Sequence, residues 1–148
     1  MITQHLIPLF QKDLDRLKEE IELYSKDEQL WQLKGSMNKA PGNICLQLAG
    51  SLQHYIGAVL GDSGYVRNKD AELRIKNVPR SKLLEDIASA RAAVTDALEQ
   101  LSKNELAKNY PLPVFEEAVT TEYYLIYLLN DLNFNIGQIS CHRQTFEI

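Results

Sequence analysis

Histidine and cysteine are scarce in this chain, three of the first and two of the second in 148 residues. Cys45 and Cys141 are too few for a disulfide framework or a four-thiolate zinc site. Cys-x-x-Cys, His-Glu-x-x-His, Gly-x-Gly-x-x-Gly and the P-loop pattern are all absent, and with them the common short signatures of thiolate zinc sites, zinc hydrolysis, dinucleotide binding and phosphate cradling. Glu-x-x-His is missing too, which argues against a ferritin-like di-iron bundle. Seven Gly and five Pro are too few for a collagen-like or linker-dominated chain. No apolar run approaches the ~20 residues that cross a bilayer. The opening Met1-Ile-Thr-Gln-His5 has neither a basic flank nor an apolar secretion core. Sixteen Lys+Arg against twenty Asp+Glu give a formal charge of −4, against the habit of nucleic-acid binders. What is present is 45% hydrophobic residues, enough to bury a core at this length. The expectation is one cytoplasmic domain spanning 1–148, with no membrane and no nucleic acid among its partners.

The helical period dominates. Ile7, Phe10, Leu14, Leu17, Ile21 and Tyr24 recur at steps of 3, 4, 3, 4 and 3, one stripe of a helix over about 3–25 with Thr3 as N-cap and Pro8 near its first turn. Turn formers (Gly35, Ser36, Asn38, Pro41, Gly42) follow, and Trp31 is expected to pack this connection onto the helices. A second helix, about 42–60, carries Ile44, Leu48, Leu52, Tyr55, Ile56 and Val59. Residues 61–80 read as a long irregular stretch, able at roughly 3.3 Å per residue to run back along a helix. A third helix, about 82–103, is capped by Ser81 and seamed by Leu83, Ile87, Ala90, Val94, Ala97 and Leu101. Pro111 and Pro113 force an extended connector. A fourth helix runs from Thr120 or Thr121 to about Arg143, with Leu125, Leu128, Leu132, Ile136 and Ile139 on its apolar face. The expected fold is all-α, a four-helix bundle with a long crossover between the second and third helices.

Polar residues on these helices also keep a period. Asp131, Asn135, Gln138 and His142 follow by 4, 3 and 4, and Gln47, Ser51 and His54 by 4 and 3. Such ribbons either meet at a wet cleft, or lie on solvent faces or in satisfied core hydrogen bonds, because an unpaired buried polar group costs about 1–3 kcal/mol.

Five stretches stand out together: Gly42-Asn-Ile-Cys-Leu-Gln-Leu-Ala-Gly50, His54-Tyr-Ile-Gly57, Gly64-Tyr-Val-Arg67, Asp70-Ala-Glu72, and Leu129-Asn-Asp-Leu-Asn-Phe-Asn-Ile-Gly-Gln-Ile139 with His142-Arg143. Through them, over most of its length, the chain resembles the DinB-like (damage-inducible) superfamily, which includes YfiT-like proteins. The resemblance implies a four-helix bundle, commonly dimeric, with a divalent metal held by one histidine of the second helix and two of the fourth at i and i+4. In this chain those positions carry Gln47, Asp131 and Asn135. A carboxylate and two amide oxygens suit a hard cation with several waters, weakly held, better than zinc or nickel, which favour imidazole. No tight metal cofactor is therefore expected, and at most a weak divalent cation. His54 and His142 lie two turns beyond Gln47 and Asn135; they would meet if the two helices ran parallel and separate if antiparallel. His5 has no evident partner.

Other signals carry less. Gly61-Asp-Ser-Gly64 has the letters of a serine-nucleophile loop without its context. Cys45 and Cys141 lie within or beside apolar faces and read as inert packing. Arg91, beside the third seam, either reaches solvent or pairs with Asp131. Residues 67–82 carry six basic side chains against two acidic ones, a local +4 suited to a solvated loop or an anionic partner.

Three functions follow. A small polar molecule binds the Gln47/Asp131/Asn135 pocket, with His54, Gln138 and His142 nearby; or the chain is a structural homodimer with a vestigial pocket. The alternative is a hydrolase or thiol transferase of the DinB/YfiT kind, with Asp131 as general base and Tyr55 or Tyr124 alongside. The first two rank above the third, because three missing imidazoles remove the machinery.

Overall fold

The computed structural model describes residues 1–147 and is all-helical, with six α-helices and no strand among the described residues. They are α1 (Thr3–Leu23), α2 (Pro41–Leu52), α3 (Lys69–Arg74), α4 (Arg80–Gln100), α5 (Lys103–Ala107) and α6 (Thr121–Gln144). None is long and apolar enough to cross a membrane.

Leu6, Phe10, Leu14, Leu17 and Ile21 form the buried stripe of α1, which packs on α4 and α6. Each such side chain contributes about 1.5–3 kcal/mol on leaving water. Thr3 is the first helical residue and not a cap; Ile2 occupies that position without a side-chain bond. The helix stops at Leu23 because Tyr24 turns extended and is anchored elsewhere, its hydroxyl on Ile139 O at 3.2 Å and against His142 Nδ1 at 2.8 Å. Along the α1–α4 contact Gln11 meets Thr95, Asp15 meets Arg91, and Arg80 reaches the Glu22 carbonyl. Along α1–α6, Asp13 meets Asn133 and Glu20 meets Arg143. Arg91 thus pairs with Asp15 rather than Asp131.

α2 also packs on α4 and α6. After Leu52 it widens into a π-helical turn, Gln53–Ala58, with Val59 N on His54 O at 3.0 Å and Gly61 N on Ile56 O at 3.0 Å. Ahead of α2, the Trp31 ring lies so close to Gly42 that a β carbon there would fall 2.6 Å from it, which makes glycine necessary.

The stretch after α2 is less irregular than its composition implies. Asn68 caps α3, accepting from Ala71 N at 3.0 Å, and Asn43 of α2 ties the segment down. Asn43 Nδ2 donates to Glu72 O at 3.0 Å and Ile75 O at 2.7 Å, while Lys76 Nζ donates to Asn43 Oδ1 at 2.6 Å. Arg67 and Glu72 form an ion pair at 2.9 Å with both side chains 9% exposed, so the basic stretch is not simply a solvated loop. α4 begins at Arg80 with Pro79, not Ser81, in the capping position: Pro79 has the extended ψ of 145° that a cap requires. It ends at Gln100, short of 103, because Ser102 starts α5. The Ser102 hydroxyl accepts from Glu105 N, and the Glu105 carboxylate accepts from Ser102 N, each at 3.1 Å. The Leu125-to-Ile139 face of α6 is buried, and Tyr110 and Thr121 close the preceding loop on Val119 and Lys108.

Candidate functional site

Gln47, Asp131 and Asn135 converge on one cleft of about 350 Å³ between α2 and α6. The helical period put the two ribbons on facing sides, and packing of α2 on α6 does the rest. Ser51, Tyr55, Tyr124, Tyr127 and Phe134 line the same cleft. Two cations come from segments outside these helices. Lys39 Nζ donates to Gln47 Oε1 at 3.0 Å, and Arg67 Nη2 donates to the Gln47 carbonyl at 3.4 Å. Arg67 also lies 5.9 Å from the Tyr55 ring centre, and Lys69 stands at the rim.

Asn135 Nδ2 donates to Asp131 O at 2.8 Å and to Asp131 Oδ1 at 3.3 Å. Burial raises the Asp131 carboxyl above its ordinary range, opposed by the Asn135 bond and the Lys39 charge. Tyr124 is 4% exposed, its ring against Tyr55 at 5.5 Å, Tyr110 at 4.5 Å and stacked on Tyr127 at 5.8 Å. Burial pushes its phenol well up, so it stays a hydrogen-bond donor at any ordinary pH.

The remaining polar residues go elsewhere. His142 is buried between the Tyr24 hydroxyl and the Gln32 carbonyl, each 2.8 Å from one of its ring nitrogens. With Gln138 it borders a separate open groove of about 730 Å³. His54 packs on Tyr55 with ring centres 4.7 Å apart, in the π-helical turn. His54 and His142 therefore do not meet. Cys45 is fully buried and its thiol pushed up by burial, whereas Cys141 is exposed on the groove. Cys141 is thus no packing residue.

The donors suit a metal ion poorly. The Gln47 oxygen already accepts from an ammonium, the Asn135 amide nitrogen faces Asp131, and no three His, Cys, Asp or Glu side chains converge among the described residues. Lys39 and Arg67 were not assigned to this cleft from the sequence, because neither lies on a periodic helix face. For Arg67 the signals available were the Gly64-Tyr-Val-Arg67 stretch and the basic run that begins with it.

No family model matches the chain, and no curated protein does. A solved structure of a conserved protein from Enterococcus faecalis has the same fold, with a TM-score of 0.80 at 14% identity over 97% of this chain and 96% of that one.

Proposed function

We propose that this chain is a DinB-like protein that binds a small polar molecule where its relatives hold a metal ion. In this reading α1, α2, α4 and α6 are the four rods of the superfamily's bundle, and residues 61–79 are its crossover. The pairing of α1 and α2 each with α4 and α6 supports that assignment. So does the order of contacts: Gly57 and Gly61 of the α2 end approach Ala93 and Ala97, while Tyr55 approaches Tyr124. We infer a cytoplasmic location and a homodimer; for the dimer the exposed Tyr123 and Ile126 of α6 are the supporting feature.

One observation carries the binding reading. Gln47, Asp131 and Asn135, at the family's ligand positions, share a single cleft with Lys39 bonded to the first of them. An ammonium there opposes a cation and leaves amides, a carboxylate and phenols to receive a polar guest. The test is the metal content of untagged protein beside the variant Gln47→His/Asp131→His/Asn135→His. The expected outcome is little bound zinc or nickel in the parent and about one equivalent in the variant. Stoichiometric uptake by the parent would overturn the reading in favour of a degenerate metal-dependent hydrolase or transferase, for which the raised Asp131 carboxyl beside Tyr124 is the supporting feature.

A further inference from the structure

We propose that the guest of this cleft is a small organic carboxylate, its oxygens received by Tyr124 Oη, Arg67 Nη1 and Lys39 Nζ. The inference rests on the binding reading above and names the ligand class. Its basis is two donor atoms, on largely buried side chains, that the fold leaves unused. Tyr124 is 4% exposed, yet its hydroxyl has no hydrogen-bond partner among the described residues. The Arg67 side chain is 9% exposed; Nε and Nη2 are engaged by Glu72 and Gln47 O, and Nη1 has no partner among the described residues. No fully buried side-chain nitrogen or oxygen lacks a partner in the described residues, so both of these atoms keep an opening. Arg67 and Tyr124 both line the cleft, and the charges acting on the Tyr124 phenol, Arg67 and Asp131, line it too.

Donors that the protein leaves unpaired but open to a cleft are free for a guest, and an oxyanion receives them best. Gln47 sets the spacing, with Lys39 on its side-chain oxygen and Arg67 on its backbone oxygen. The charges facing the cleft are Lys39, Arg67 and Lys69 against Asp131, with Glu72 behind Arg67. That balance is a single net positive charge, which suits a monoanion better than a doubly charged phosphate. Tyr55, Tyr127 and Phe134 offer ring surface to an apolar body.

Titration of isotope-labelled protein with benzoate, phenyl phosphate and neutral benzamide, followed by amide shifts and melting temperature, tests this. Benzoate is expected to shift cleft amides and raise the melting temperature, with benzamide and phenyl phosphate each at least tenfold weaker. Tyr124→Phe, which removes a hydroxyl without a partner among the described residues, is expected to melt at or above the parent while binding benzoate roughly tenfold less tightly. Lys39→Met should weaken benzoate similarly, and Lys103→Met, exposed on α5 outside the cleft, should change neither property. Benzamide binding in the cleft as well as benzoate, or undiminished benzoate binding by Tyr124→Phe, overturns the carboxylate assignment and leaves the binding reading standing. Preference for phenyl phosphate reassigns the site to phosphate esters and overturns it likewise. No cleft shift with any of the three overturns both.

Discussion

Two glycines inside helices, Gly50 and Gly137, should respond to alanine with opposite signs. A β carbon at Gly50 would lie 1.9 Å from Glu72 Oε2 and 2.7 Å from its carboxyl carbon. That carboxylate cannot swing aside at little cost. It is buried, accepts from Arg67 Nε at 3.0 Å and Nη2 at 2.9 Å, and its backbone carbonyl is held by Asn43. Displacing it breaks a buried ion pair, at about 3–5 kcal/mol, while alanine returns about 1 kcal/mol of helix propensity. The expected net loss for Gly50→Ala is about 2–4 kcal/mol, a fall in melting temperature of roughly 5–15 °C for a chain of this size. At Gly137 a β carbon would meet nothing within 4 Å, so Gly137→Ala should gain about 0.5–1 kcal/mol. Urea unfolding of both variants, with m-values compared to guard against a changed denatured state, measures the two signs. A Gly50→Ala protein as stable as the parent would refute the reasoning, since the carboxylate would then not be fixed against α2.

Acid should loosen the fold through His142. Burial lowers its pKa, with the Gln32 bond opposing and Lys34 reinforcing, so the unfolded chain takes up the proton more readily. Stability is then full above about pH 6.5 and falls as pH drops through the window below it. His54 is shifted in the same direction, whereas Asp131, shifted up, works the other way at lower pH. A urea midpoint that falls between about pH 7.5 and 5.5, with a flatter profile in His142→Gln, is the expected result; identical profiles contradict it. Two arginines of α4 and α6 should differ in worth. Arg143 and Glu20 are 12% and 14% exposed, Arg91 and Asp15 41% and 58%. Arg143→Met should therefore cost about 2 kcal/mol or more and Arg91→Met about 0.5 kcal/mol. Equal losses in urea unfolding would show that burial does not separate the pairs.

The long helices were legible because each buries a stripe, and a stripe is periodic. The Leu125-to-Ile139 and Leu83-to-Ala97 rows are buried as their spacing requires. Element ends were read less well, for local reasons. Ser102 and Glu105 have the serine-to-glutamate spacing of a capping box, and that signal starts α5 where the 82–103 helix was expected to end. Pro79 outcompetes Ser81 as a cap through its backbone angle, which a preference for polar caps overlooks. The short α3 has no stripe to reveal it; what holds it is Asn43, a polar residue on α2 whose partners are backbone carbonyls. The cleft was half legible by the same logic. Helix phase groups Gln47, Ser51 and His54 on one ribbon and Asp131, Asn135, Gln138 and His142 on another. The family resemblance, not the phase, singles out Gln47, Asp131 and Asn135, while Lys39 and Arg67 arrive on connections, where no period announces a side chain's direction.

Those two cations matter more than the three residues at the family's ligand positions. An ammonium about 4 Å from another unit charge interacts by about 4 kcal/mol at an effective dielectric of about 20, and for a metal ion that interaction is repulsive. Every 1.4 kcal/mol is about tenfold in affinity, so Lys39 alone can remove several orders of magnitude of cation binding, and the same field favours an anion. Asp131 offsets part of this, but it is shared with Asn135 and penalised by burial. Arg67 adds a second constraint, because its Nε and Nη2 are locked by Glu72 under Gly50, which leaves Nη1 unpaired among the described residues on a side chain that lines the cleft. The clamp that fastens residues 67–72 to α2 is thus also what orients the guanidinium. A guest held by Arg67 therefore draws on an arrangement fixed in advance, and little side-chain ordering has to accompany its binding.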